Sequence, residues 1–201
     1  GDAAVIVSDT EEPRVGSNNN VFTGNLFGTD ASGTIARSNR GVGISIGEFC
    51  SGNIIGGALP EERNILCDGA WIGGTGSNNN QILGNYVGTD VTGTLDLGNV
   101  RDGIDVNQNV ADGTTGLLIG GTDPNAGNLI AFNDMYGVEV RDAPTTGNTI
   151  IGNRIHSNGM IGIQLGNDGV VTANDVDDVD TGSNDLQNFP VIASAELAGT
   201  D

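Results

Sequence analysis

The chain has no lysine at all, a single histidine, two cysteines, five prolines and only 4 % aromatic residues in 201 positions. With so few aromatics a compact globule built around large side chains is excluded, and thin, repetitive packing fits better. Seven arginines oppose 26 acidic residues, for a net charge of −19, which argues against nucleic acid and anionic membranes as partners. No run approaches the ~18 consecutive apolar residues of a membrane span. No charged-then-apolar signal precedes Gly1, and the chain is expected to be one module trimmed from a longer exported protein. Cys50 and Cys67 fit neither a metal pattern nor a disulfide framework, and no bridge between them is expected because they fall at different corners of the repeat described next.

Glycine and asparagine are abundant, and they recur in order. Gly16-Ser17-Asn18-Asn19-Asn20 returns 60 residues on as Gly76-Ser77-Asn78-Asn79-Asn80, and Gly24-Asn25-Leu26-Phe27-Gly28-Thr29-Asp30 returns as Gly84-Asn85-Tyr86-Val87-Gly88-Thr89-Asp90. A shorter motif lies inside this repeat: a small residue, then two apolar residues flanking a variable one. It reads Ala4-Val5-Ile6-Val7, Gly43-Ile44-Ser45-Ile46, Gly69-Ala70-Trp71-Ile72, Gly103-Ile104-Asp105-Val106, Gly137-Val138-Glu139-Val140 and Gly162-Ile163-Gln164-Leu165. A period of two means a strand with one buried and one free face. A second strand class, exemplified by Asn53-Ile54-Ile55, falls between the copies.

Such short strands bury nothing alone, but stacked at about 4.8 Å they share a continuous core. Six copies predict about six coils and a stack on the order of 30 Å high. Asn25, Asn64, Asn85, Asn128 and Asn153 then read as a ladder of corner amides bonding from turn to turn. The coils are expected over residues 1–166, followed at 167–201 by an acidic loop and a closing strand or linker to a further module. Phe189 and Val191 are expected to cover the last coil.

The strings G-N-x-x-G-T-D-x-x-G-T, I-G-G followed by N-x-I, and G-I-x-I resemble the right-handed parallel β-helix repeat proteins of bacterial exported surfaces, in the pectate-lyase-like superfamily. The resemblance covers about residues 4–192, including a tail, Leu186-Gln187-Asn188-Phe189-Pro190-Val191-Ile192, that looks like the segment closing such domains. It implies an all-β right-handed solenoid at a bacterial cell surface or outside the cell. It selects no activity, because that superfamily includes lyases, hydrolases and tailspikes.

Three sets of residues are candidates for function. In the tail, Asp175, Asp177, Asp178 and Asp180 place four carboxylates within six positions, which suits calcium's demand for clustered oxygen ligands; a solvated acidic loop is the alternative. Thr29-Asp30, Thr89-Asp90 and Thr122-Asp123 read as Asx-turns, with a cation shared by the Asp30 and Asp90 loops as the minor alternative. The third set is the outward row of the first strand class: Ile6, Ser45, Trp71, Asp105, Glu139 and Gln164, with Asn107 and Arg141 two positions further along their strands.

In the lyases and hydrolases of that superfamily the outward face carries the sugar groove. By the resemblance, Trp71, Asp105, Asn107, Glu139, Arg141 and Gln164 would line a glycan site, and the loops Asp30–Arg40 and Asp90–Arg101 could wall it. Asp105 and Glu139, about one strand spacing apart, are near the roughly 5 Å of a retaining glycosidase. A polyuronate lyase would need a base, for which Arg141 is the candidate on this row. His156 has no nucleophile beside it and reads as a surface residue. The expected function is a non-catalytic, calcium-stabilised spacer or adhesive module whose partners are polysaccharide and neighbouring modules. A carbohydrate-active or glycan-binding β-helix is the alternative.

Overall fold

A computed structural model describes residues 4–6, 15–39, 41–107, 113–143, 145–166 and 168–194. Among the described residues, sixteen strands fall into three parallel sheets. Sheet 1 contains β1 (Ala4–Ile6), β4 (Ile44–Ile46), β7 (Ala70–Gly73), β10 (Ile104–Asn107), β13 (Val138–Val140) and β16 (Ile163–Leu165). Sheet 2 contains β2 (Val21–Phe22), β5 (Ile54–Gly56), β8 (Gln81–Leu83), β11 (Leu118–Gly120) and β14 (Thr149–Ile151). Sheet 3 contains β3 (Leu26–Phe27), β6 (Ile65–Leu66), β9 (Tyr86–Val87), β12 (Leu129–Ala131) and β15 (Arg154–His156). Each strand from β1 to β13 pairs with the strand three places on, so the chain returns to the same sheet after each third strand. That connectivity makes a parallel β-solenoid, as the repeat predicted.

Alternation along each short strand sends one set of side chains inward, and stacking makes them columns. Ile44, Ile46, Ile72, Ile104, Val106, Val138 and Val140 of sheet 1 are fully buried against Ile55, Ile82 and Ile119 of sheet 2 and Leu66, Val87 and Ile130 of sheet 3. β-Branched residues dominate because their stiff side chains pack well on a pleated surface.

The predicted ladder is present. From Asn25 through Asn64, Asn85 and Asn128 to Asn153, the backbone N–H and the side-chain amide of each asparagine both donate to Oδ1 of the next, at 2.9–3.1 Å. A second ladder runs Asn20, Asn53, Asn80. These bonds satisfy the polar corners that stacking buries. The two I-G-G corners need glycine: Gly56 and Gly120 both have φ of 87°, and a Cβ at either would run into a carbonyl of the next coil, that of Leu83 or Ile151.

Three expectations need correction. In β1 the register pairs Val5, not Ile6, with Ser45, so Ile6 is out of the row by one residue and stands opposite Ile46. A one-residue shift exchanges the faces of a strand, and motif spacing alone does not fix it. In the tail, Phe189 lines a gap above the last coil but is 45 % exposed, and Val191 is 74 % exposed. The residue that reaches the coil is instead Leu186, in the short 3-10 segment Ser183–Leu186 that packs on β16. Asp123, finally, closes its turn through its backbone carbonyl, which accepts from Ala126 N–H, rather than through an Asx-turn. Cys50 and Cys67 are both buried and are not joined in a disulfide.

Candidate functional site

The outward row of sheet 1 forms as predicted from β4 onward: Ser45, Trp71, Asp105, Glu139 and Gln164 stand opposite one another on successive strands. Their polar atoms are bonded mainly to the side chains that flank the row, Asn107, Arg141 and Asp102. Trp71 Nε1 donates to Asn107 Oδ1 at 3.0 Å, and the Asn107 amide donates to both oxygens of Asp105 at 2.9 Å. Arg141 Nη2 lies 2.7 Å from Asp105 Oδ2, and its Nε lies 3.1 Å from Glu139 Oε2. Gln164 is only 1 % exposed and donates to the Leu165 carbonyl and to Asp168, which turns its amide toward the start of the tail.

A third carboxyl completes the cluster. Asp102, 9 % exposed, sits in the turn before β10, where its Oδ1 accepts from Tyr136 N–H at 3.0 Å and its carboxyl is hydrogen-bonded to Glu139. Burial pushes the Glu139 carboxyl up to about 7; Arg141 opposes this, and Asp102 and Asp105 add to it. Burial also raises Asp102, against the bond from Tyr136. Both carboxyls of the pair Asp102–Glu139 therefore bind a proton more tightly than free carboxyls do.

Asp102 is the residue that sequence reasoning missed. It lies outside the strand motif, but a signal existed: Asp102-Gly103 repeats Asp68-Gly69 in the same place before a sheet 1 strand. Asp68 is buried too, and its Oδ2 accepts from Asn39 N–H at 2.8 Å.

The loop after Asp90 does reach this face. Asp30 and Asp90 cap their loops as expected, each Oδ1 accepting from two backbone N–H groups and a hydroxyl. Bonds to Ser32 and to the loop backbone hold Asp30 below the ordinary carboxylate range. The two loops touch through Val91 N–H to the Gly33 carbonyl, at 3.1 Å. The segment Leu97–Arg101 then walls a cavity of about 180 Å³ floored by Asp68, Asp102 and Asp105.

Among the described residues, Asp102, Asp105 and Glu139 are the one group of three or more such side chains whose ligand atoms converge, all within 4.8 Å of one another, and they could hold a metal ion. Asp175, Asp177, Asp178 and Asp180 are not brought together in this way. Asp175 is tied to Asn188 and Val179, and Asp178 accepts from Asn188 N–H at 2.8 Å. Asp175 and Asp178 thus share Asn188 as a partner, while Asp177 and Asp178 lie in a partly exposed stretch where both have positive φ. Arg141, ion-paired to two carboxylates, is not placed as the free base of a lyase. His156 is exposed and bonds Ser157, as expected of a surface residue.

Fold and site together define a parallel β-solenoid with an arginine-braced cluster of three carboxyls on its outer face. Comparison with protein-family models, with curated proteins and with solved structures finds no match to this chain. No helix among the described residues is long and apolar enough to cross a membrane.

Proposed function

We propose that the chain is a non-catalytic module of an exported bacterial surface protein, a right-handed parallel β-helix of about six coils acting as a rigid spacer or adhesive unit. One observation carries this: the polar groups along the outward row are spent on each other, Trp71 on Asn107, Asn107 on Asp105, and Arg141 on both Asp105 and Glu139. Bonds that run from strand to strand brace the stack and leave few groups to seize a substrate.

Calcium fits this function as a stabiliser. Its preference for hard oxygen donors is met by the three carboxyls of Asp102, Asp105 and Glu139, where the ion would take the place of the Glu139 proton and displace the Arg141 guanidinium. Neighbouring modules and environmental polysaccharide are the partners that suit such a unit.

A carbohydrate-active site is the second possibility, favoured by the Glu139 carboxyl. Raised to about 7, it has the proton affinity of a general acid near neutral pH, with Asp105 within a few ångströms and Trp71 alongside as a stacking surface. Incubation with neutral and acidic polysaccharides, followed by assay of new reducing ends and unsaturated products, separates the two. A spacer releases none. Product formation that Glu139→Gln abolishes would make the chain an enzyme.

A further inference from the structure

The polar groups along the outer edge of β16 can be assigned from the bonds around it. Among the described residues β16 is paired with β13 alone. Val138 N–H donates to the Gly162 carbonyl, and Gly166 N–H donates to the Val140 carbonyl, at 2.9 Å each. Successive residues of a strand turn their N–H and C=O groups to opposite sides, so Gly162, Gln164 and Gly166 face β13 while Ile163 and Leu165 face away. On that outer edge the Leu165 carbonyl is spent, accepting from Gln164 Nε2 at 3.1 Å. Ile163 N–H, the Ile163 carbonyl and Leu165 N–H have no partner among the described residues.

The inward side chains of this strand are uncovered as well. Ile163 and Leu165 continue the columns of Val138 and Val140, which are fully buried, yet Ile163 is 42 % exposed. The tail touches β16 through Ser183–Leu186 but makes no backbone bond to its edge among the described residues. A cavity of about 280 Å³ is left between Ile150, Ile163 and Leu165 on one side and Val170, Val171 and Phe189 of the tail on the other. An apolar cavity beside an unpaired strand edge is where an extended peptide adds to a sheet.

Charge selects the kind of peptide. Asp168 is exposed at the outward side of this edge, where its Oδ1 accepts from Gln164 Nε2 at 3.3 Å and from Val170 N–H at 3.0 Å. Asp142 borders an adjoining cavity together with Asp168. With a net charge of −19 the chain repels a second copy of itself and attracts a basic partner.

We propose that the edge of β16 and the cavity above it form a docking site for an extended segment of a partner protein with the pattern apolar, basic, apolar. The segment lies parallel to β16 as one further strand of sheet 1. Its basic residue, opposite Gln164, donates its N–H to the Ile163 carbonyl and accepts from Leu165 N–H, and its side chain meets Asp168 on the outward face. The two apolar side chains enter the cavity. The backbone bonds supply affinity, and the cavity and Asp168 supply the choice of sequence.

Fluorescence anisotropy with a dye-labelled Gly-Val-Lys-Val-Gly peptide tests this. The lysine peptide is expected to bind about tenfold more tightly than the same peptide with glutamate in the middle, because like charges meet in the second case. Methylating the backbone nitrogen of the lysine removes the bond to the Ile163 carbonyl and is expected to abolish binding. In Asp168→Lys, with circular dichroism to verify folding, the preference is expected to shift toward the glutamate peptide. Should that variant fail to fold, Asp168→Asn is expected to narrow the preference. No binding of the lysine peptide at millimolar concentration, binding that survives methylation, or a preference that substitution of Asp168 leaves unchanged overturns the proposal. So does self-association of the chain in sedimentation that the peptide displaces, which would give the edge to a second copy.

Discussion

The guanidinium of Arg141 lies 2.7 Å from the carboxylate of Asp105 on the neighbouring strand, and the same side chain reaches Glu139 two residues back. One cation thus ties two strands of sheet 1 together through their outward face. Removing it strands two largely buried carboxyl groups beside each other and beside Asp102. Arg141→Ala is expected to lower stability by about 1–3 kcal/mol in chemical denaturation, less than the loss of a fully buried pair because the arginine is about one-third exposed. An unchanged midpoint would mean that the outward row does not brace the stack.

The proton held by Glu139 has a consequence of unusual sign. Its carboxyl is raised from 4.5 to about 7 on folding, so the folded state binds the proton more tightly than the unfolded chain does. The contribution is most favourable below pH 4.5, is lost as pH rises from there through about 7, and is constant above. Asp102, also raised, acts in the same direction. In metal-stripped protein, Glu139→Gln is expected to flatten the fall in denaturation midpoint across that window. A wild-type and variant pair with parallel pH profiles would refute the assignment.

The ladder predicts a strong dependence on position. Asn85 is fully buried, and its Oδ1 satisfies both the N–H and the amide of Asn64 while its own amide serves the Ile55 carbonyl. Asn85→Ala is expected to cost about 2–4 kcal/mol, since several buried groups lose their partners at once. Asn25→Ala, at the first coil, strands none of them and is expected to cost about 1 kcal/mol or less. Equal losses at the two positions, measured by urea titration, would show that the ladder is not cooperative along the stack.

Calcium offers a direct comparison of two acidic places. Millimolar calcium is expected to raise the melting temperature of metal-stripped protein, with Asp102→Asn removing the shift and Asp177→Ala/Asp178→Ala leaving it intact. The reverse pattern would return the ion to the tail, where sequence spacing first suggested it.

Much of this architecture is legible in the residues. The G-N-x-x-G-T-D string identifies a coil, and the spacing of Asn25, Asn64, Asn85, Asn128 and Asn153 identifies a ladder, because each copy must meet the same corner in the same way. The outward row from Ser45 to Gln164 followed from the same logic. Where the copies diverge, that logic weakens. In β1 the motif carries Ala4 where every other copy has glycine, and its alignment slipped by one residue. Asp102 escaped notice because it belongs to a turn, and the tail offers no repeat with which to align Leu186.

Periodicity, by itself, determined the parallel solenoid, its inward columns and its amide ladders, since identical short strands bury their apolar faces only by stacking on copies of themselves. Tertiary structure alone decided which carboxyls meet. Asp102, Asp105 and Glu139 converge through a turn and two strands 34 residues apart in sequence, whereas Asp175, Asp177, Asp178 and Asp180, close in the chain, do not bring three ligand atoms together. Closeness in sequence brings charges near without aiming them, and only the folded backbone fixes where a side chain points.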